Sequence, residues 1–150
     1  MTDDTVKAKG KLSIVLTGPD GTIKDTREVD NLVVTTGLGF ISARMKDATP
    51  AAAPMSHMEV GTTSTAASLA QTTLVAAVSA SRTALSSSTV TTNSIAYACT
   101  FGAGVGTGAL VEAGIFNAAS AGTMLCRTVF SVINKAAADS LLITWTITVS

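Results

Sequence analysis

Leu141-Leu142-Ile143-Thr144-Trp145-Thr146-Ile147-Thr148-Val149 is the stretch that decides the fold class. Leu141, Ile143, Trp145, Ile147 and Val149 point one way, and Thr144, Thr146 and Thr148 point the other. A period of two with β-branched residues on both sides is a strand with one apolar face. Trp145 lies on that apolar face, which makes it a core residue rather than an exposed aromatic. The Thr row suits either water or an adjacent sheet.

The same period recurs upstream. Lys11-Leu12-Ser13-Ile14-Val15-Leu16-Thr17 alternates and runs into Gly18-Pro19-Asp20-Gly21, where Pro presets the first turn dihedral and Asp-Gly tolerates positive φ. The chain returns through residues 22–34 as one or two strands. Met58-Glu59-Val60-Gly61 reads as a short strand, and residues 89–101 as one long strand with Ile95, Tyr97, Cys99 and Phe101 on a common face. Residues 124–133 are apolar on both faces apart from Arg127 and Ser131, as expected of a strand covered on both sides. One helix is expected from Thr36 to about Lys46, with Thr36 as its cap and Leu38, Ile41 and Met45 on one face. Residues 49–54 form an Ala/Pro loop, residues 62–73 a Ser/Thr/Ala loop, and residues 102–108 a flexible Gly-rich hairpin or loop at a sheet edge. The conformation of residues 62–82 stays open between loop, helix and strand. Many short strands with turns between them predict an all-β fold: a jelly-roll-like β-sandwich of antiparallel strands with one short helix, in a single domain spanning residues 1–150.

Composition narrows the function. Hydrophobic residues make up 47% of the chain and charged residues 13%, with a formal net charge of zero. Charged residues are about a quarter of an average domain, so this surface is short of charge and poorly protected against self-association. No excess of Lys and Arg points to nucleic acid. No stretch is apolar and long enough to span a membrane. The acidic start, Met1-Thr2-Asp3-Asp4, is unlike a secretory signal. Most charge lies in the first third. After residue 49 only Glu59, Arg82, Glu112, Arg127, Lys135 and Asp139 remain. The first third therefore reads as a solvated hairpin and the rest as core or interface.

Little in the chain is suited to catalysis. His57 is the only histidine, with Glu59 on the same strand face as its one nearby carboxylate. The remaining acids are isolated or interleaved with Lys and Arg. The Gly-rich run at residues 102–108 lacks the Gly-Lys-Ser/Thr and the following helix that a phosphate loop needs. Cys99 and Cys126 lack metal-site spacing and read as small buried side chains. No enzyme activity, catalytic residue, cofactor or metal is expected. A carbohydrate-binding module would stack sugars on exposed aromatics, and aromatics are only 4% of the chain.

Four segments stand out together: Asn31-Leu32-Val33-Val34-Thr35-Thr36-Gly37-Leu38; Met58-Glu59-Val60-Gly61-Thr62; Glu112-Ala113-Gly114-Ile115-Phe116-Asn117 leading to Gly122-Thr123-Met124-Leu125-Cys126-Arg127; and Asn134-Lys135-Ala136-Ala137-Ala138-Asp139 feeding the last strand. In this order the chain resembles small virion structural proteins of tailed bacteriophages. The resemblance implies a particle component made in the host bacterial cytoplasm. Small size and a compact β pattern point to a capsid cement or decoration protein on the virion surface. It would bridge subunits of the major capsid protein and associate with itself as a homodimer or homotrimer. Residues 112–117 also resemble a strand motif of tail-fibre and tail-collar proteins, so a tail or connector role is the alternative. The expected contact residues are Ala66, Ala67 and Leu69 in the Ser/Thr/Ala loop and Gly104 and Gly106 in the Gly-rich turn, together with one sheet edge.

Overall fold

A computed structural model describes residues 5–46 and 52–150. The acidic segment Met1-Thr2-Asp3-Asp4 and the first part of the Ala/Pro loop, residues 49–51, lie outside them. Among the described residues, strands β1 (Ala8–Thr17), β2 (Ile23–Val33), β3 (His57–Gly61), β4 (Thr83–Ala84), β5 (Ser87–Thr91), β6 (Ser94–Phe101), β7 (Gly108–Phe116), β8 (Met124–Lys135) and β9 (Ser140–Val149) join one helix, α1 (Thr35–Lys46).

The decisive strand is an interior strand, paired on both sides. β9 pairs antiparallel with β1 from Ala8↔Val149 to Thr17↔Ser140, and on its other side with β6. Leu141, Ile143, Trp145 and Ile147 are buried, as are Leu12, Ile14 and Leu16 of β1 and Tyr97, Cys99 and Phe101 of β6. The β1–β2 turn is the expected one. The Asp20 carboxylate accepts the Thr22 N–H at 3.0 Å and the Thr22 hydroxyl at 2.9 Å. This is how a short acidic side chain closes a turn on its own backbone.

All nine strands belong to one antiparallel sheet in the order β4-β3-β7-β8-β2-β1-β9-β6-β5. β2 is the corner. It pairs with β1 over most of its length, but its backbone ladder to β8 is limited to Leu32↔Arg127 and Val33↔Cys126, with Arg27 and Thr128 adding side-chain hydrogen bonds across the same seam. Beyond that narrow seam the sheet turns over. β3, β7 and β8 then face β1, β9 and β6 across the main apolar core, which includes Met58, Val60, Leu110, Ile115 and Ile133, while Val34, Leu74, Phe116 and Met124 form a second, smaller cluster. On the far side the Cys99 thiol lies 3.6 Å from the carbonyls of Thr83 and Ala84, so β4 meets β6 and the curl closes. The expected all-β antiparallel fold with one short helix holds. The two layers are halves of one curled sheet, and the strand order by itself does not establish the jelly-roll winding.

Two local expectations change and two open readings resolve. Residues 89–101 are not one strand: a tight turn at Thr92-Asn93 splits them into the β5–β6 hairpin, with Thr92 in the left-handed region at φ 51°. The alternating pattern hides this turn because both flanks keep the same period. The Gly-rich run at residues 102–108 is no hairpin tip. It carries the chain from β6 to β7, which lie in opposite layers. The helix begins one residue earlier than expected, with the Val34 carbonyl accepting the Leu38 N–H. Its docked face is Gly37, Phe40 and Ile41, while Leu38 and Met45 are exposed. Gly37 sets that orientation, since a methyl group there would collide with the Leu125 backbone carbonyl. Thr36 lies inside the helix and donates its hydroxyl to the Met124 carbonyl at 3.0 Å. Finally, residues 62–82 are irregular chain laid along β3, tied by Thr62 N–H to Ala76 O (2.9 Å) and Val78 N–H to Val60 O (2.9 Å). Together with α1 this chain covers the outer side of β8 near its start. That cover explains why residues 124–128 are buried on both faces while Ser131 and Val132 are exposed.

Candidate interaction surfaces

The six charged residues after residue 49 all turn inward. Glu112 and Arg127 face each other from neighbouring strands, fully buried, with carboxylate–guanidinium distances of 2.7 and 2.9 Å. The same carboxylate accepts the N–H groups of Val75 (3.2 Å) and Ala76 (2.8 Å). Arg127 also donates to Gln71 Oε1 at 3.1 Å, and Gln71 holds Ser68 N–H and Ala66 O. One buried ion pair thus anchors the 62–82 segment by its backbone. The need for it is physical. A segment without regular structure leaves backbone donors unpaired, and a buried carboxylate satisfies two of them at once.

A second cluster centres on Arg82. Its guanidinium lies 3.6 Å from the Phe116 ring centroid, pairs with Glu59 at 3.0 Å and donates to Ala118 O and Ala121 O at 3.0 and 3.2 Å. It fixes the loop between β7 and β8. Glu59 is therefore committed to Arg82, and His57 does not pair with it. The His57 ring nitrogen Nδ1 shares a 2.8 Å hydrogen bond with Ser56 Oγ instead.

The third cluster ties three connections together. Asp139, buried, receives Lys24 Nζ at 2.9 and 3.1 Å and the Ala136 N–H at 2.9 Å. The Lys24 hydrogen bond, aided by the Ala136 N–H, holds its carboxyl below the ordinary carboxylate range. Lys135, buried beside it, donates to Gly102 O at 2.9 Å, and desolvation lowers its pKa. The Gly104 N–H bonds Ala137 O at 2.7 Å, so the Gly-rich connection is moored to the turn before β9.

With those groups drawn into internal ion pairs and hydrogen bonds, though Arg82 Nε is buried without a hydrogen-bond partner, the surface built by residues 52–150 is nearly uncharged. Side chains of Glu59 and Arg82 are 13% and 14% exposed, and the other four are 2% or less. The outer face of the β1-containing layer shows the contrast. Over β1 and β2 it carries Lys9, Lys11, Glu28 and Asp30, with a Lys11–Glu28 pair at 3.2 Å, beside a shallow groove of about 480 Å³. Over β9, β6 and β5 it continues through Thr144, Thr146, Thr148, Ser94, Ala96, Ala98, Ser87, Thr89 and Thr91, none of them charged. β5 is the edge, exposed at every residue.

The expected contact residues fall on different parts of the molecule. Leu69 is 52% exposed and Ala66 is exposed beside it, with Ala67 half-buried; the Leu69 carbonyl accepts the Thr35 N–H at 2.9 Å, which sets this loop against the start of α1. Gly104 is exposed at the far connection. Gly106 is buried at φ 62°, where a methyl group would approach Val60 Cγ2 to 2.8 Å. It is an internal packing position and offers no contact surface. Sequence reasoning missed the Glu112–Arg127 anchor, and the only hint of it was one Arg inside an otherwise apolar run. It also missed β5 as a separate edge strand.

Cys99 and Cys126 are buried free thiols, and burial pushes the Cys99 pKa up to about 11 and that of Cys126 higher still. Among the described residues no three His, Cys, Asp or Glu side chains converge to hold a metal ion, and no helix is long and apolar enough to cross a membrane. No family model, no curated protein and no solved structure matches the chain.

Proposed function

We propose that this chain is a structural subunit of a tailed-bacteriophage virion, a cement protein that reinforces the shell by bridging major capsid subunits. The observation that carries the reading is the nearly uncharged surface built by residues 52–150. Six ionisable residues are spent on anchoring loops from inside, and the exterior they leave is Ser, Thr, Ala and scattered apolar side chains. Such a surface costs little to desolvate against another protein, because no charge must be stripped of water. Interface cores are depleted of charge in the same way. Interfaces that hold specific partners bury about 1,200–2,000 Å², and a symmetric lattice multiplies each contact many times. The order of the four segments singled out in the sequence supports the virion assignment. The likeness of residues 112–117 to a tail-collar motif favours the second reading, a tail or connector subunit.

Quantitative mass spectrometry of purified particles tests the assignment. A copy number comparable to the major capsid protein supports cement. A few per cent of it moves the protein to the tail or connector, and absence from the particle overturns the virion reading. Within that reading, Ala66→Glu tests the 62–82 segment: the side chain is exposed, so the fold should stand while particle binding is lost, and unchanged binding removes the segment from the interface.

A further inference from the structure

We infer that β5 is the edge through which two copies of this chain join, antiparallel and about a two-fold axis at Thr89. This deepens the self-association in the proposed function and rests on that part of it, not on a place in a particle.

An edge strand presents every second N–H and C=O to solvent, and stable monomers blunt such edges with Lys, Pro, a bulge or a cover. β5, Ser87-Ser88-Thr89-Val90-Thr91, has no charged residue and no Pro, and no strand pairs with its outer side among the described residues. The whole run from residue 83 to residue 111 is uncharged. The opposite edge, β4, spans only Thr83–Ala84 and offers too short a template.

The occupant follows from symmetry and charge. A strand from a charged partner would find no complementary group here. A second β5 finds its own composition, with no like charges brought face to face. Antiparallel pairing centred on Thr89 is the register that uses all five residues of both strands. Ser87 then lies opposite Thr91 of the partner subunit, Ser88 opposite Val90 of the partner subunit, and Thr89 opposite the partner's Thr89. A Thr–Thr pair across the axis is a favourable cross-strand contact. Val90, 70% exposed, is the largest apolar side chain on the strand. It borders an open hollow lined by Ile95, Ile147 and Val149 at the end of the core, which the second copy closes. A closed two-fold contact of this kind uses the same patch twice.

The pairing is tested on the full chain by sedimentation velocity over a concentration series. The parent protein should pass from monomer to dimer as concentration rises. Thr89→Lys places two ammonium groups opposite each other at the axis and should raise the dimer Kd by at least about tenfold. Thr89→Cys provides the second readout. Its two sulfurs meet at the axis and should form an intermolecular disulfide under mild oxidation, because facing Cα atoms in a sheet lie within bridging distance. Ser87→Cys should not, since its partner copy is four residues away, about 13 Å along the strand. The native thiols are buried and do not compete. A parent chain that stays monomeric throughout overturns self-association itself. A dimer that tolerates Thr89→Lys, or in which Ser87→Cys cross-links as readily as Thr89→Cys, overturns the β5 contact and leaves self-association to another surface.

Discussion

Replacing Arg127 with Met keeps much of the side-chain volume and removes the charge. Glu112 then loses its 2.7 and 2.9 Å partners while remaining fully buried between β3 and β8. It keeps the N–H groups of Val75 and Ala76, which are dipoles rather than a countercharge. Breaking one side of a buried ion pair costs about 3–5 kcal/mol, a large share of the roughly 5–15 kcal/mol that holds a domain folded. For a chain of this size each kcal/mol moves Tm by about 2–4 °C, so Arg127→Met should melt about 6–20 °C below the parent in a circular-dichroism scan. The double variant Arg127→Met/Glu112→Leu separates charge from anchoring. Exchanging both partners for apolar groups is often neutral, so most of the lost Tm should return. The Val75 and Ala76 amides, stripped of their acceptor, should still exchange hydrogen faster than in the parent. An Arg127→Met variant melting within about 2 °C of the parent would refute the claim that this pair sits in a dry, charge-intolerant site. Unchanged exchange at Val75 and Ala76 in the double variant would refute the anchoring role.

Other expectations follow from the same packing. Gly106→Ala forces a Cβ to 2.8 Å from Val60 Cγ2 at φ 62° and should cost about 1–3 kcal/mol in a urea titration. Gly37→Ala should cost a similar ~1–3 kcal/mol by lifting α1 off the Leu125 carbonyl; a neutral result in the melt would mean the helix is not docked there. Asp139 has a folded pKa lowered from its ordinary 3.8, chiefly by Lys24. Its contribution is present above the ordinary carboxylate pKa and lost as pH falls through the lower folded value. Asp139→Asn should therefore be less stable than the parent near pH 7, and the gap should narrow as the pH falls below the ordinary carboxylate value of 3.8; a constant gap would count against the ion pair. Both thiols should resist an aromatic disulfide reagent at neutral pH in the folded protein and react once it is unfolded.

The elements legible in the sequence were those whose period and environment agree. The last strand is half-buried along its whole length, so its Leu, Ile and Trp residues alternate cleanly with Thr, and it lies between β1 and β6. The first hairpin was legible because Asp20 closes its turn locally. Reading failed where a distant contact overrides the local pattern. The helix face follows Gly37, a residue with no hydropathy signal, because the Leu125 carbonyl comes close to it. The 62–82 segment has no period of its own since its donors are satisfied by Glu112, dozens of residues away. The β5–β6 turn was hidden because Thr92 and Asn93 continue a polar, β-branched run. Of the five expected contact residues, Gly106 failed for the same reason as the helix: glycine marks flexibility in a sequence and close packing in this structure.

The uneven placement of charge is what links fold to function. In a layered β protein the outer faces and edges ordinarily carry the charges that keep copies apart. Here the first hairpin keeps that arrangement, with Lys9, Lys11, Glu28 and Asp30 on its outer side. The remaining strands do the reverse, sending Glu59, Arg82, Glu112, Arg127, Lys135 and Asp139 inward to hold connections that have no secondary structure. Those connections thereby become fixed surfaces with their backbone groups paired, and ordered loops lose less entropy on docking than mobile ones. An exterior so nearly uncharged outside the first hairpin is costly for a free monomer, because it invites association. It suits a subunit whose working state is bound on several sides. That trade can be measured. Lysine substitutions at exposed positions such as Thr89, Thr91 and Thr100 should raise the solubility of the isolated chain, and each should weaken assembly only where its strand is part of a contact.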